Sequence, residues 1–287
     1  MTGILEGTGP VIDRFFGVEQ FGSTTPHYKH KQSCLHISEQ PLPALDSLAL
    51  LEELYQIIED NWQRSRPFYS KPPSKENWRV MRRPEIAPQN TSPEVTLERS
   101  IIKATEEHWV NQVPTSSGLT GPRYDKARNI DLAHNLGHGE WEFIELKVNS
   151  DTPLYAAMEI LQYGLLYLFS RHHQDELCYR NASKIMLEAS QIHLKVLAPS
   201  PYYIPYQPPQ QYQLQWLEES LNEGLQRLVD GSLHAPLQMD FQFDAFSPDF
   251  IWPLANGETD LDAIRAALRD RGPVYAHQHI FQMSGNG

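Results

Sequence analysis

The sequence predicts a mixed α/β domain, on three observations. Helical patterns, with apolar residues three and four positions apart, alternate along the chain with short runs of strand character. At 287 residues the chain is long enough to bury a sizeable core. Its two cysteines, Cys34 and Cys178, stand in no CxxC or Cys/His array, and no internal repeat divides it, so neither a disulfide framework, structural zinc nor a solenoid is expected.

Residues 1–90 read as an N-terminal extension. Gly-Ser-Thr-Thr-Pro and Pro-Leu-Pro clusters without periodicity make 1–45 an irregular lead-in. A helix follows, capped by Asp46 or Ser47 and carrying Leu48, Leu51, Leu54, Ile57, Ile58 and Trp62 at helical spacing. The stretch 64–83 contains Pro67, Pro72 and Pro73 and is expected to be an extended loop.

Residues 91–287 read as the main domain, with the chemistry in 92–198 and an α+β elaboration in 199–287. Ser92-Pro93-Glu94 offers an N-cap, a proline at the first helical position and an acid in the first turn, opening a helix expected to reach about Val113. Strands are expected over 128–133 and 141–148, joined by a polar turn over 134–140. Thr152-Pro153 opens a helix to about Arg171 that is apolar nearly all round and therefore buried. Then come a strand over 191–197, a Pro/Gln/Tyr-rich linker over 200–212, a helix over 213–229, a strand over 239–243 and a helix over 261–269.

The N-terminus lacks a basic region followed by an apolar run, and 160–169 falls far short of the roughly 20 residues that cross a bilayer, so a cytoplasmic protein without a membrane partner is expected. With 36 acidic against 24 basic residues the net charge is −12. The basic residues are not evenly spread. Arg64, Arg66, Lys71, Lys75, Arg79, Arg82 and Arg83 fall together with a single acid, Glu76, and with Phe68, Tyr69 and Trp78 between them. Lys75, Trp78, Arg79, Arg82 and Arg83 are the candidates for contacts with a nucleic-acid backbone and bases; the plainer reading is a solvated loop.

The segment Trp141-Glu142-Phe143-Ile144-Glu145-Leu146-Lys147-Val148 has large apolar residues on both faces, as a central strand does. Alternation sets Glu145 and Lys147 on the face of Trp141 and Phe143, where charges cost several kcal/mol in order of magnitude unless paired or bound to metal. In the preceding strand Asp131 stands between Ile130 and Leu132, and a hairpin brings it opposite Glu145. Two carboxylates on adjacent strands make a hard-oxygen site suited to Mg²⁺. Glu98 shares a helical face with Ile101, Ile102, Thr105 and Trp109 and needs a partner there.

In this order, Glu98, then Asp131, then Glu145-Leu146-Lys147, then a buried helix, the chain resembles the PD-(D/E)XK or restriction-endonuclease-like nuclease superfamily over about residues 92–198. Ile130 stands where the naming proline would be. The resemblance implies an αβββαβ core with a mixed sheet flanked by helices, and a metal-dependent nuclease acting on nucleic acid, DNA before RNA. Asp131 and Glu145 would bind Mg²⁺ or Mn²⁺, with the Leu146 carbonyl as a further ligand and Glu98 direct or through water; Lys147 would orient the attacking water. Some branches carry Gln-x-x-x-Tyr on the following helix; here Tyr167 is one position too far from Gln162, which is assigned no role.

Two other functions compete. One is a nuclease-fold binding or structural module whose acids hold no metal, with Asp131, Glu145 and Lys147 an internal salt bridge. The other is a histidine metalloenzyme acting on small molecules, drawing on His134 and His138, His172 and His173, or His277 and His279. The turn and helix-end histidines read more simply as structural.

Overall fold

The computed structural model describes residues 3–21, 27–40, 42, 45–86, 90–122, 124–125, 128–180, 184–205, 211–230, 236–253 and 260–275. Its helices are α1 (Thr8–Phe15), α2 (Lys31–Glu39), α3 (Ser47–Ser65), α4 (Pro93–Ala104), α5 (Pro153–His172), α6 (Gln215–Asp230) and α7 (Leu261–Arg269). The strands are β1 (Trp109–Pro114), β2 (Asn129–Gly137), β3 (Glu140–Leu146), β4 (Gln191–Ala198), β5 (Gln238–Ala245) and β6 (Gly272–Pro273). They form one sheet in sequential order, β1 to β6. The β1–β2, β2–β3 and β5–β6 pairs are antiparallel, while β3–β4 and β4–β5 are parallel. The sheet is therefore mixed, and α5 and α6 are the crossovers that parallel neighbours require.

Local chemistry explains the helix starts. Asp46 accepts the Ala49 N–H at 3.0 Å, Ser92 that of Val95 at 3.4 Å and Thr152 that of Tyr155 at 3.1 Å, the last two followed by proline. Helix α5 is buried along nearly its whole length, as its all-round apolarity predicts, because α3 and the sheet pack on it. Helices α4 and α7 pack on each other, and their apolar side chains share a second core with Leu132, Ile144 and Leu146 of the sheet.

Three expectations are corrected. The helix from Pro93 ends at Ala104, not Val113: Thr105 turns extended, and 109–114 forms the edge strand β1. Trp109 and Val113 fit helical spacing but are good strand formers, and pairing with β2 decides between the two. The Arg82 guanidinium accompanies this break, donating to the carbonyls of Ile102, Thr105, Glu106 and Trp109. Second, while the Gly-Ser-Thr-Thr-Pro cluster and both prolines of Pro-Leu-Pro lie outside the described residues, the described part of the lead-in is not all irregular. It forms α1 and α2, with Ile4, Ile12, Phe16 and Cys34 fully buried, because these few apolar residues find a place in the core that contains α5. Third, the expected turn over 134–140 is mostly strand; only His138 and Gly139, both at positive φ, form the bend. The short strand β6 is an addition to the expected elements. No helix among the described residues is long and apolar enough to cross a membrane.

Trp78 is 1% exposed, so it presents no face for a base to stack on. Its ring packs against Phe143 and Tyr167 with centroids 6.1 and 5.6 Å away, and its indole N–H donates to Ser170 Oγ at 2.9 Å. It pins the basic loop to the core. Trp78→Ala is expected to lower stability by about 3–5 kcal/mol in urea denaturation; a loss below about 0.5 kcal/mol would return the ring to the surface.

Candidate functional site

The hairpin of β2 and β3 and the start of α5 gather the charged centre. Leu132 pairs with Ile144, so the next ladder position sets Asp131 against Glu145. Asp131 is partly buried, while Glu145 and Lys147 are 4% and 7% exposed and lie on the face of β3 that α5 covers. Lys147 Nζ is 2.8 Å from Glu145, 3.1 Å from Glu159 and 3.7 Å from Asp151, and 5.6 Å from the Tyr155 ring centre. Asp131 Oδ2 accepts the Leu146 N–H at 3.0 Å, which ties the two strands at the site.

The charges are not balanced. Burial pushes the Asp131 carboxyl up to about 7, helped by the negative field of Glu98 and opposed by Lys147. Burial also raises Glu145 well above the usual carboxylate range, and Asp131 and Glu159 add to it. Burial works against the Lys147 ammonium, yet Glu145 and Glu159 outweigh it and hold the group charged above its ordinary range. One ammonium serves several acids.

Glu98 stands near enough to raise Asp131, but both its oxygens are occupied. Asn111 donates to one at 2.5 Å and Gln112 to the other at 2.7 Å, and Arg99 lies 3.3 Å away. Neighbouring strand residues normally point to opposite faces; a left-handed backbone at Gln112, φ 51°, accompanies both amides reaching the same carboxylate. Burial raises the Glu98 carboxyl, against the pull of these donors.

Sequence reasoning missed Glu159, the one acid in the α5 sequence and a direct partner of Lys147. A lone acid in a helix apolar all round was the available signal. It also missed Glu142, on the same strand as Glu145 but the opposite face. Burial would raise Glu142 too, but His134 at 2.8 Å, Lys195 at 3.0 Å and Arg271 at 2.5 Å hold it well below its usual range. Three residues apart on one strand, one glutamate is compensated and the other is crowded.

Of the basic candidates, Arg83 lies near enough to act on Glu98, and the others do not join this centre. Trp78 meets α5 at Ser170, eleven residues after Glu159, which is about 16 Å along the helix. Arg79 pairs with Glu76 at 2.9 Å, and Arg82 is spent on the carbonyls at the end of α4. Arg83 is exposed, its backbone held by Asn111. Exposed Lys71 and Lys75, with Arg79 and Lys184, border an open cleft of about 900 Å³.

The histidines do not converge. His134 pairs with Glu142 and stacks on Trp109, His172 bonds to Tyr55 and His173 to Glu59, while His138 is exposed in the turn. His277 and His279 lie outside the described residues. Among the described residues no three or more His, Cys, Asp and Glu side chains are grouped so as to hold a metal ion. Gln162 is buried; it accepts from Thr8 Oγ1 at 2.9 Å, and Tyr167 donates to the Met186 carbonyl in the core. Compared with family models, curated proteins and solved structures, the chain matches none.

A raised carboxyl binds its proton more tightly in the folded state. Stability from Asp131 is therefore full below its unfolded value of about 4 and is lost as pH rises through about 7. In metal-free buffer, thermal melts of Asp131→Asn should depend less on pH than those of wild type across that window. Near pH 8 the variant should be at least as stable, since Lys147 keeps Glu145 and Glu159. Glu218, buried and also raised to about 7, is common to both proteins and cancels. A variant destabilised equally at every pH would make Asp131 an ordinary ion-pair partner.

Proposed function

We propose that the chain is a metal-dependent nuclease of the PD-(D/E)XK type, hydrolysing phosphodiester bonds in nucleic acid inside the cell. The observation that carries the reading is the pair Asp131 and Glu145, opposed on adjacent strands, both with raised carboxyl groups and with Lys147 between Glu145 and Glu159. The element order α4-β1-β2-β3-α5-β4 supports it, since it is the αβββαβ order of that superfamily.

The donor set fits a hard dication. Mg²⁺ retains several waters and takes only one or two protein carboxylates, so Asp131 and Glu145 suffice without a third. With the Leu146 carbonyl they would hold Mg²⁺ or Mn²⁺, and Glu98, its oxygens taken by amides, would act through its field or a water. Bound there, the metal would polarise the phosphate and acidify a water. Lys147 is the chain's own contribution to the chemistry: a charged ammonium just past the end of β3, its backbone N–H held by the Leu197 carbonyl at 3.0 Å, able to orient a water or meet charge developing on the phosphate. Glu159 positions that ammonium, and Tyr155 and the α5 face shield it from solvent.

A second reading, a binding module without catalysis, draws on the same ion pairs, because Lys147 already has carboxylate partners without any metal. Labelled DNA and RNA, single- and double-stranded, incubated with Mg²⁺, Mn²⁺ or EDTA, separate the two. The nuclease reading expects cleavage that EDTA abolishes and that Lys147→Ala and Glu145→Gln each reduce by about 10²-fold or more. Activity of Lys147→Ala within a few-fold of wild type would remove the role given to Lys147, and no cleavage of any substrate favours the module.

A further inference from the structure

Beside the acidic centre lies a small cavity of about 210 Å³, with Tyr155 and Glu159 of α5 on one side and His27 and Lys29 of the N-terminal segment on the other. The segment is fixed there. Tyr28 stacks on Tyr155 with ring centres 5.9 Å apart, and its N–H donates to Asp13 at 2.6 Å. Thr8 donates to Gln162 at 2.9 Å, and the Ile4 N–H donates to Asp125 at 3.0 Å. Asp125 in turn holds Arg128, which also lines the cavity, at 3.0 Å. Residues that read as a loose lead-in thus roof the site.

Two features define what enters. At about 210 Å³ it lies below the roughly 300 Å³ at which pockets for drug-sized ligands begin, a size suited to a single small group such as a phosphate. The lining is also mixed in charge. In a chain of net charge −12, Lys29, Arg128 and His27 line the cavity together with Glu159, which is paired with Lys147; burial holds the His27 imidazole below its ordinary range, so Lys29 and Arg128 are its cations. Lys29 lies exposed, its Nζ 4.9 Å from the Tyr155 ring centre. A phosphate monoester carries about −1.5 to −2 at neutral pH. An internal phosphodiester carries a single charge, so this basic set distinguishes an end from the middle of a strand.

We propose that this roofed cavity is a pocket for the terminal phosphate of a nucleic-acid strand, which confines the site to strand ends. The inference rests on the nuclease reading for the cleavage step but not for binding. His27, Lys29 and Arg128 receive the terminal phosphate, Tyr28 and Tyr155 form its wall, and the N-terminal segment blocks the path that a continuous strand would follow.

The test uses the full chain with Mg²⁺ and oligonucleotides that carry a 5′-phosphate, a 3′-phosphate or hydroxyls at both ends, alongside covalently closed single-stranded circles. One phosphorylated end type should be degraded about tenfold faster than the hydroxyl-ended strand, the ratio that one more charge-assisted hydrogen bond supplies. The circles should resist, and Lys29→Ala should reduce the preference to about twofold or less. Circles cut as fast as linear strands overturn the proposal and leave the nuclease reading standing. If nothing is cut, the nuclease reading fails and binding decides the pocket. Fluorescence anisotropy of the Glu145→Gln protein in EDTA should then give tighter binding of the phosphorylated strand, weakened by Lys29→Ala. Equal affinity for phosphorylated and hydroxyl ends overturns the pocket. So does competition by inorganic phosphate at the same concentration as the strand, which would make it a free-phosphate site.

Discussion

The arrangement around β3 turns on the ammonium of Lys147, a single buried cation shared by Glu145, Glu159 and Asp151. Burying one ion pair is hard to recover in free energy, and burying more acids than bases is harder. The protein places Asp131 on the adjacent strand beside this set, where the Leu146 backbone N–H donates to it at 3.0 Å. The strands cannot shift to relieve the crowding. A one-residue slip would turn Trp141 and Phe143 off the core face, so the same apolar packing that makes β3 central holds the carboxylates together.

Glu142 provides the internal contrast. Equally buried and on the same strand, it has His134, Lys195 and Arg271 around it, and Lys195 extends the network to Asp244 at 3.0 Å on β5. That face is braced across four strands by compensated charge. Its carboxyl is depressed where Glu145's is raised, because the partners of Glu142 outweigh its burial whereas Asp131 and Glu159 add to that of Glu145.

Much of this was legible in the sequence. The two-sided apolarity of 141–148 identified a central strand, and alternation alone set Glu145 and Lys147 on one face. Asp131 was found because an acid between Ile130 and Leu132 is out of place in a strand. Strand β1 was hidden because Trp109 and Val113 also fit helical spacing, and only pairing with β2 resolves it. Trp78 and Arg82 looked like nucleic-acid contacts because their neighbours are basic; nothing local reveals that one ring fills the core and one guanidinium satisfies helix-end carbonyls. The roof over the site was illegible for another reason. Tyr28 and Lys29 meet Tyr155 through contacts between residues more than a hundred positions apart, within a segment that has no periodicity of its own.

Proton release on metal binding reads the crowded carboxylates themselves. If burial and the field of Glu98 hold Asp131 partly protonated near neutral pH, a dication that binds it beside Glu145 must displace protons there. Isothermal titration of the protein with Mg²⁺, in two buffers of different ionisation enthalpy, reads that release as a buffer-dependent heat. Release is expected near pH 7, shrinks as pH rises well above it and is lost in Asp131→Asn. Binding heats identical in both buffers, or no binding at all, would contradict it.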